Sequence, residues 1–362
     1  MHVQPLAHIV AIVKTGRVTE HRTQRFAALD GLRAVAALGV LLYHVADWSG
    51  RPGRFAHGYL AVDFFFCLSG FVLAHAFERR EIGWPAYLWI RVVRIWPLLV
   101  LSTLVGAVLT ARHSPPFWPN LARGLLLVPR LGHPAEWTFP TLFPFNPPAW
   151  SLCLEVIVSA LWFPLRRAPD LVVAAIVFCS GAVMAWVALG LNGVETGWDQ
   201  ATFWLGVVRA TFSFGLGWLG WRYRALAPRP RLVLPAIVLL AILVMPLAPG
   251  QPWNGVYDFA CVAVLFPLLV LTGAHDPKGA AGALCRTTGD VSYPLYALHW
   301  ATWAAMLPLY PDGWKSLLPV WFPALAVVLA PVVAWTAFRF YDAPVRRWLR
   351  PRKSATKPLS TG

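Results

Sequence analysis

The sequence predicts an all-α fold: a polytopic integral membrane protein of about ten transmembrane helices, both termini cytoplasmic. Composition points there first. Of the 362 residues, 58% are hydrophobic and only 13% charged, and the mean hydropathy is +0.57. Soluble domains run nearer half apolar and a quarter charged, so one water-facing globule cannot hide this much apolar surface. Second, the apolar residues fall in runs of about 17–25, the length that crosses a bilayer. Third, 31 Lys+Arg stand against 16 Asp+Glu, and the basic residues cluster between particular runs. The 27 Gly, 32 Pro and 20 Trp agree with a bilayer, which tolerates broken helices and favours interfacial indoles.

Taken in order, residues 1–25 read as a cytoplasmic tail. Its apolar stretch Leu6–Val13 is too short to span and lacks a basic flank and a small-residue cleavage site, so no signal peptide is expected. Spans are expected at 28–47, 58–77, 92–110, 149–165, 170–190, 203–221, 232–248, 256–274, 291–310 and 318–338, within a transmembrane domain of residues 26–348. Residues 111–148 are rich in Pro and Trp, and Leu121–Val128 is expected to be re-entrant or interfacial. Residues 349–362 form a basic cytoplasmic tail. With the N-terminus inside, most of the basic residues are cytoplasmic. Only Arg51, Arg54, Arg112, Arg123, Arg130 and Lys315 fall outside. That bias explains the net charge of +15 without nucleic acid. Cys67, Cys153, Cys179, Cys261 and Cys285 show no paired spacing and read as small apolar residues, with no disulfide frame and no metal site expected.

A charge inside hydrocarbon costs several kcal/mol, so each ionisable residue within a span is a functional candidate. The first span carries Leu29-Asp30-Gly31-Leu32-Arg33 and then His44. Eleven helical steps end only about 20° past three full turns, so Arg33 and His44 share one face, roughly 16 Å apart along the axis. The second span holds Val62-Asp63-Phe64-Phe65-Phe66 and Ser69-Gly70-Phe71; the fourth opens Trp150-Ser151-Leu152 and reaches Glu155. Both enter from outside, which puts Asp63 and Glu155 at a depth comparable to that of His44. Arg209 in the sixth span is a counter-charge in the same layer, either structural or catalytic. Arg91 and Arg94 open the third span at i, i+3, a spacing suited to phosphate oxygens as well as to plain topogenic anchoring. The ninth span begins Gly289-Asp290-Val291-Ser292-Tyr293-Pro294-Leu295-Tyr296 and continues to His299, a hydroxyl-rich start.

These blocks, with Tyr341-Asp342-Ala343-Pro344, resemble in order the acyltransferase family 3 membrane proteins, which O-acylate sugars and related hydroxyl compounds. The resemblance covers roughly residues 26–348. It departs at Cys153, where the family usually has Ser, and at Asp342, where it often has Glu. No hydrolase-like stretch follows the tenth span, so the stand-alone form is expected. The resemblance implies an enzyme that moves an acyl group, acetyl being the expected one, from cytoplasmic acyl-CoA to a hydroxyl of a glycan or glycoside outside. Acyl-CoA is then a co-substrate, and no permanently bound cofactor is expected. In that scheme Arg33, Arg91 and Arg94 bind the donor phosphates. His44 acts as general base or transient acyl carrier, with Asp63 and Glu155 steadying the imidazolium. Asp30, Ser69, Trp150, Ser151, Arg209, Ser292, Tyr296 and His299 are expected to line the substrate path. The alternative is a transporter or flippase of a glycan or organic acid, using the same charges at the midplane. The strong motifs crowd into spans one to four with no inverted counterpart, which favours the enzyme.

Overall fold

The computed structural model describes residues 25–53, 55–110, 116–132, 141–226, 233–245, 251–309 and 318–349. The expected tails, up to residue 24 and from residue 350, lie outside the described residues, as do Arg54, Arg112 and Lys315. Among the described residues the chain is helical, with no strand; one isolated bridge joins Thr141 to Asp199.

The helices are α1 (Ala27–Trp48), α2 (Ala61–Phe77), α3 (Trp84–Thr110), α4 (Phe117–Leu126), α5 (Ala149–Trp162), α6 (Asp170–Leu191) and α7 (Phe203–Arg222). They continue with α8 (Val233–Leu243), α9 (Asn254–Thr272, with a π turn at Cys261–Leu265), α10 (Gly279–Met306) and α11 (Trp321–Leu349, with a π turn at Phe338–Asp342). Each expected span falls on one of these. Among the described residues, six are long and apolar enough to cross a membrane: α1, α2 with its leading turn from Gly58, α3, α6, α9 and α11. Helix α5 is apolar but shorter, and α8 covers only part of its expected range among the described residues. Helices α7 and α10 are long enough to cross but are not among these six.

Two expected boundaries need correction. The third helix begins at Trp84, seven residues before Arg91, with Pro85 in its first turn, where a missing N–H costs nothing. Arg91 and Arg94 therefore sit two turns inside α3. The ninth expected span likewise belongs to a helix that starts at Gly279, so Ser292 caps nothing. Its hydroxyl bonds the Gly289 carbonyl at 2.7 Å within the helix. Apolarity delimits what a bilayer covers, and both helices run on past it. Helix α4 occupies the segment expected to be interfacial; Trp118 and Leu126 are exposed on it, and Leu127 ends it in the left-handed region (φ 56°).

Helix α10 is central, packing along α1, α11 and α3, while α2 packs along α7 and α7 on α6. Lipid tails are as apolar as leucine, so helix association here rests on close packing and polar contacts. The α2–α7 seam has both. A Cβ on Gly217 would collide with the Cys67 carbonyl oxygen, and one on Gly70 with the Phe214 carbonyl oxygen. One turn further along the same seam lies Asp63 against Arg209 and Ser213.

Candidate active site

A cavity of about 100 Å³ opens between α1, α2, α3, α5 and α10. Arg33 reaches it from α1, Ser69 from α2, Arg91 and Arg94 from α3, Ser151 and Glu155 from α5, and Ser292, Tyr293 and Tyr296 from α10. Phe65, Leu68, Val72 and Ile95 supply apolar wall. Three guanidinium groups and one carboxylate thus meet in one partly closed space. Glu155 Oε1 accepts from Ser69 Oγ at 2.7 Å and from Arg91 Nη2. Arg91 is 4% exposed and Glu155 21%. The Nε of Arg91 is buried with no hydrogen-bond partner among the described residues. Arg33 is steadied by Asp30, whose Oδ1 accepts from Arg33 Nη1 at 2.9 Å and whose Oδ2 accepts from Arg25 Nε at 2.5 Å. Such a set suits an anion with several oxygens, which guanidinium recognises bidentately.

The cavity wall leads on through α10. Ser151 Oγ and Tyr296 Oη bond each other, and each lies near the Pro148 carbonyl oxygen, at 3.2 and 3.3 Å. The Tyr296 ring contacts that of His299 with centroids 5.8 Å apart. His299 Nδ1 lies 2.7 Å from the Tyr296 carbonyl oxygen. A carbonyl can only accept, so Nδ1 carries the hydrogen and the neutral ring keeps its lone pair on Nε2. That nitrogen is buried and without a partner among the described residues. The His299 ring stacks on His44 at 5.2 Å and 20°, and His44 stacks on Trp48 at 4.8 Å and 14°. Two imidazoles and an indole, nearly parallel, therefore adjoin the cavity on its Tyr296 side.

The arrangement corrects the expected carboxylate–histidine cluster. Asp63 is 0% exposed, and its oxygens accept from Arg209 Nε at 3.0 Å, Arg209 Nη2 at 2.5 Å and Ser213 Oγ at 3.0 Å. It neither lines the cavity nor contacts His44 among the described residues. Arg209 also donates to the Thr196 and Tyr59 carbonyl oxygens, at 3.1 and 3.4 Å, and is not among the residues that line the cavity. Glu155 faces the arginines rather than His44. His44 itself stands beside the cavity rather than in its lining. Depth along a helix can be read from sequence, but rotation about its axis cannot, and rotation decides who meets whom. Trp150 lies under the Arg209 guanidinium, 5.8 Å from ring centroid, away from the lining. Sequence reasoning missed Trp48, although it stands at i+4 from His44 on one helix face. It also passed over Tyr293, whose Oη donates to the Ile95 carbonyl oxygen at 2.6 Å.

Comparison with known proteins bears on what this arrangement does. The family described as an acyltransferase domain matches residues 26–339. Protein 2 in the picA locus of Rhizobium radiobacter is 34% identical over 186 residues, covering 46% of this chain and 95% of that protein. A provisionally named O-acetyltransferase of Staphylococcus aureus (strain COL) is 25% identical over 378 residues, covering 92% of this chain and 59% of its own length. Peptidoglycan O-acetyltransferase OatA of Listeria monocytogenes is 22% identical over 374 residues, covering 91% of this chain and 57% of its own length. The chain thus spans under three-fifths of those two O-acetyltransferases. No solved structure matches it. With most of its length matched, and with six membrane-length apolar helices among the described residues, the chain belongs to acyltransferase family 3.

Proposed function

We propose that this protein is an integral membrane O-acyltransferase that moves an acyl group, acetyl in the first instance, from cytoplasmic acyl-CoA to a hydroxyl of a glycan or glycosylated compound on the outer side. The observation that carries the reading is the cavity where Arg33, Arg91 and Arg94 converge beside Glu155, adjoining the Tyr296–His299–His44 stack. Phosphates are the natural partners of three convergent guanidinium groups. A thioester arm leaving that cavity along α1 has about 16 Å to cover between Arg33 and His44, by helical rise. In this reading the ten expected spans all cross, with both termini cytoplasmic, and the donor enters from the arginine side.

The chemistry asks for one proton acceptor. As the acceptor hydroxyl attacks the thioester carbonyl, His44 takes its proton; the C–S bond breaks and the leaving thiolate recovers a proton from the imidazolium. The alternative order has His44 take the acyl group first, release the thiolate and then pass the acyl group to the hydroxyl. Asp63 serves here only to hold α2 against α7. Glu155 serves the donor cavity through Arg91.

The test is CoA release from acetyl-CoA by purified protein supplied with a glycan acceptor. His44→Ala is expected to cut acceptor-dependent release by about 10²–10⁴-fold, the contribution typical of a positioned base, while the protein stays inserted. Near-parental release by correctly inserted His44→Ala would remove the role given to His44, and no acceptor-dependent release by the parent itself would leave a transporter as the better reading.

A further inference from the structure

A second concavity, of about 590 Å³, lies at one end of the bundle and shares no lining residue with the arginine cavity. It gathers Arg79 from just past α2, Arg166 and Arg167 from past α5, and Arg222 and Arg224 from the end of α7, with the carboxylates of Glu78 and Asp170. Both carboxylates are already committed. Glu78 accepts from Arg222 Nε at 2.6 Å and from Trp221 Nε1 at 3.1 Å; Asp170 accepts from Arg222 Nη1 at 2.6 Å and from Tyr223 Oη at 2.8 Å. Arg167 pairs with Glu81. Arg79, Arg166 and Arg224 are left with no ion pair among the described residues.

Two of these three are held in place rather than waving in solvent. The Arg224 guanidinium lies 3.5 Å over the Trp221 ring and donates to the Trp221 carbonyl oxygen at 2.7 Å. Arg166 lies 4.0 Å over Phe163 and donates to the Phe163 carbonyl oxygen at 3.1 Å and to the Ile82 carbonyl oxygen at 3.4 Å, which leaves part of its edge for a ligand. Stacking occupies the face of a guanidinium, so the N–H groups not given to these carbonyls can bond phosphate oxygens. Orientation signals need basic residues near span ends, but they need neither a shared concavity nor a fixed pose. Exposed apolar residues flank the charges: Leu161 five positions before Arg166, Leu171 beside Asp170 and Leu226 two past Arg224. A soluble phosphate has no use for them. An amphiphile does.

We propose that this concavity binds the headgroup of an anionic phospholipid, the phosphate held by Arg79, Arg166 and Arg224 and the acyl chains lying against Leu161, Leu171 and Leu226. The proposal is independent of the acyl-transfer reading, because it concerns different residues and a binding readout.

Native mass spectrometry of the full chain in detergent, with phosphatidylglycerol or phosphatidylcholine added, tests it. The parent is expected to retain phosphatidylglycerol preferentially. Arg79→Gln and Arg224→Gln, which spare the Arg222 pairs, should each weaken that retention roughly five-fold, the effect typical of one basic residue near an anionic headgroup. Arg94→Gln, in the other cavity, should leave it unchanged. Equal retention of the two lipids overturns the proposal, as does an undiminished preference in the Arg79→Gln/Arg224→Gln protein. Displacement of phosphatidylglycerol by millimolar inorganic pyrophosphate or coenzyme A would make this a site for soluble phosphates and overturn the lipid assignment.

Discussion

Asp63 with Arg209 and Glu155 with Arg91 are both arginine–carboxylate pairs joining separate helices, and the two differ in how completely they are satisfied. The first is closed: Asp63 takes three arginine and serine donors, Arg209 gives two further donors to two carbonyl oxygens, and exposure is 0–1% on both sides. At most one Nη1 hydrogen of Arg209 is left over, and both side chains are shut off from solvent. The second is open: Arg91 keeps a buried Nε without a partner among the described residues, and Glu155 is partly exposed to a cavity shared with Arg33 and Arg94. A buried ion pair has to offset the desolvation of two charges, and only full hydrogen bonding does so. The closed pair meets that condition and needs no function to explain it. The open pair leaves polar capacity unused, which is what a site keeps for its substrate.

The comparison predicts opposite phenotypes, and the largest belongs to the closed pair. Asp63→Ala strands the Arg209 charge in the α2–α7 seam and should cost about 3–5 kcal/mol of stability. Thermal unfolding in detergent should show a large drop or little folded protein. Asp63→Leu with Arg209→Met should recover most of the loss. An Asp63→Ala protein that folds like its parent and loses only transfer would put both pairs in one class.

Glu155→Gln comes next. It keeps the shape, so the fold should survive while transfer falls by about 10–10²-fold, the loss of one charge-assisted hydrogen bond that orders Arg91 in the donor cavity. Combined with His44→Ala it should lose little more than His44→Ala alone if the two serve one step. Additive losses would separate the donor cavity from the histidine stack.

The finest test is a matched pair of hydroxyl deletions. Ser213 donates to Asp63 at 3.0 Å and Ser69 to Glu155 at 2.7 Å, each the lesser partner of a carboxylate that keeps its arginine. Each deletion should cost about 1 kcal/mol. Ser213→Ala should spend it on the unfolding transition with the transfer rate unchanged, and Ser69→Ala on the transfer rate with the transition unchanged. Matching effects on both readouts would erase the distinction.

Much of this protein is legible in its amino-acid sequence. The membrane-length apolar runs and the placing of Asp63, Glu155 and Arg209 within helices follow from spacing, because helical rise and periodicity are local properties. The helix starts at Trp84 and Gly279 are not legible there, since hydropathy marks the slab a bilayer covers and not where hydrogen-bonded turns begin. Nor is the central role of α10: its span at 291–310 is expected from sequence, but which helices pack around it is not. Its residues Ser292, Tyr296 and His299 are each buried by neighbouring helices.

Fold class, family and the set of titratable residues that need an explanation are thus properties of the chain read one residue after another. The partners of those residues are not. Asp63 meets Arg209, 146 positions away, Glu155 meets Arg91, 64 away, and His44 meets His299, and each pairing exists only once the helices have packed. The cause is rotational. A helix's sequence fixes how deep each side chain lies and which others share its face, but the direction that face points is set by packing. Here that packing runs along the glycines of the α2–α7 seam and around the buried centre of α10, contacts between residues far apart in the chain.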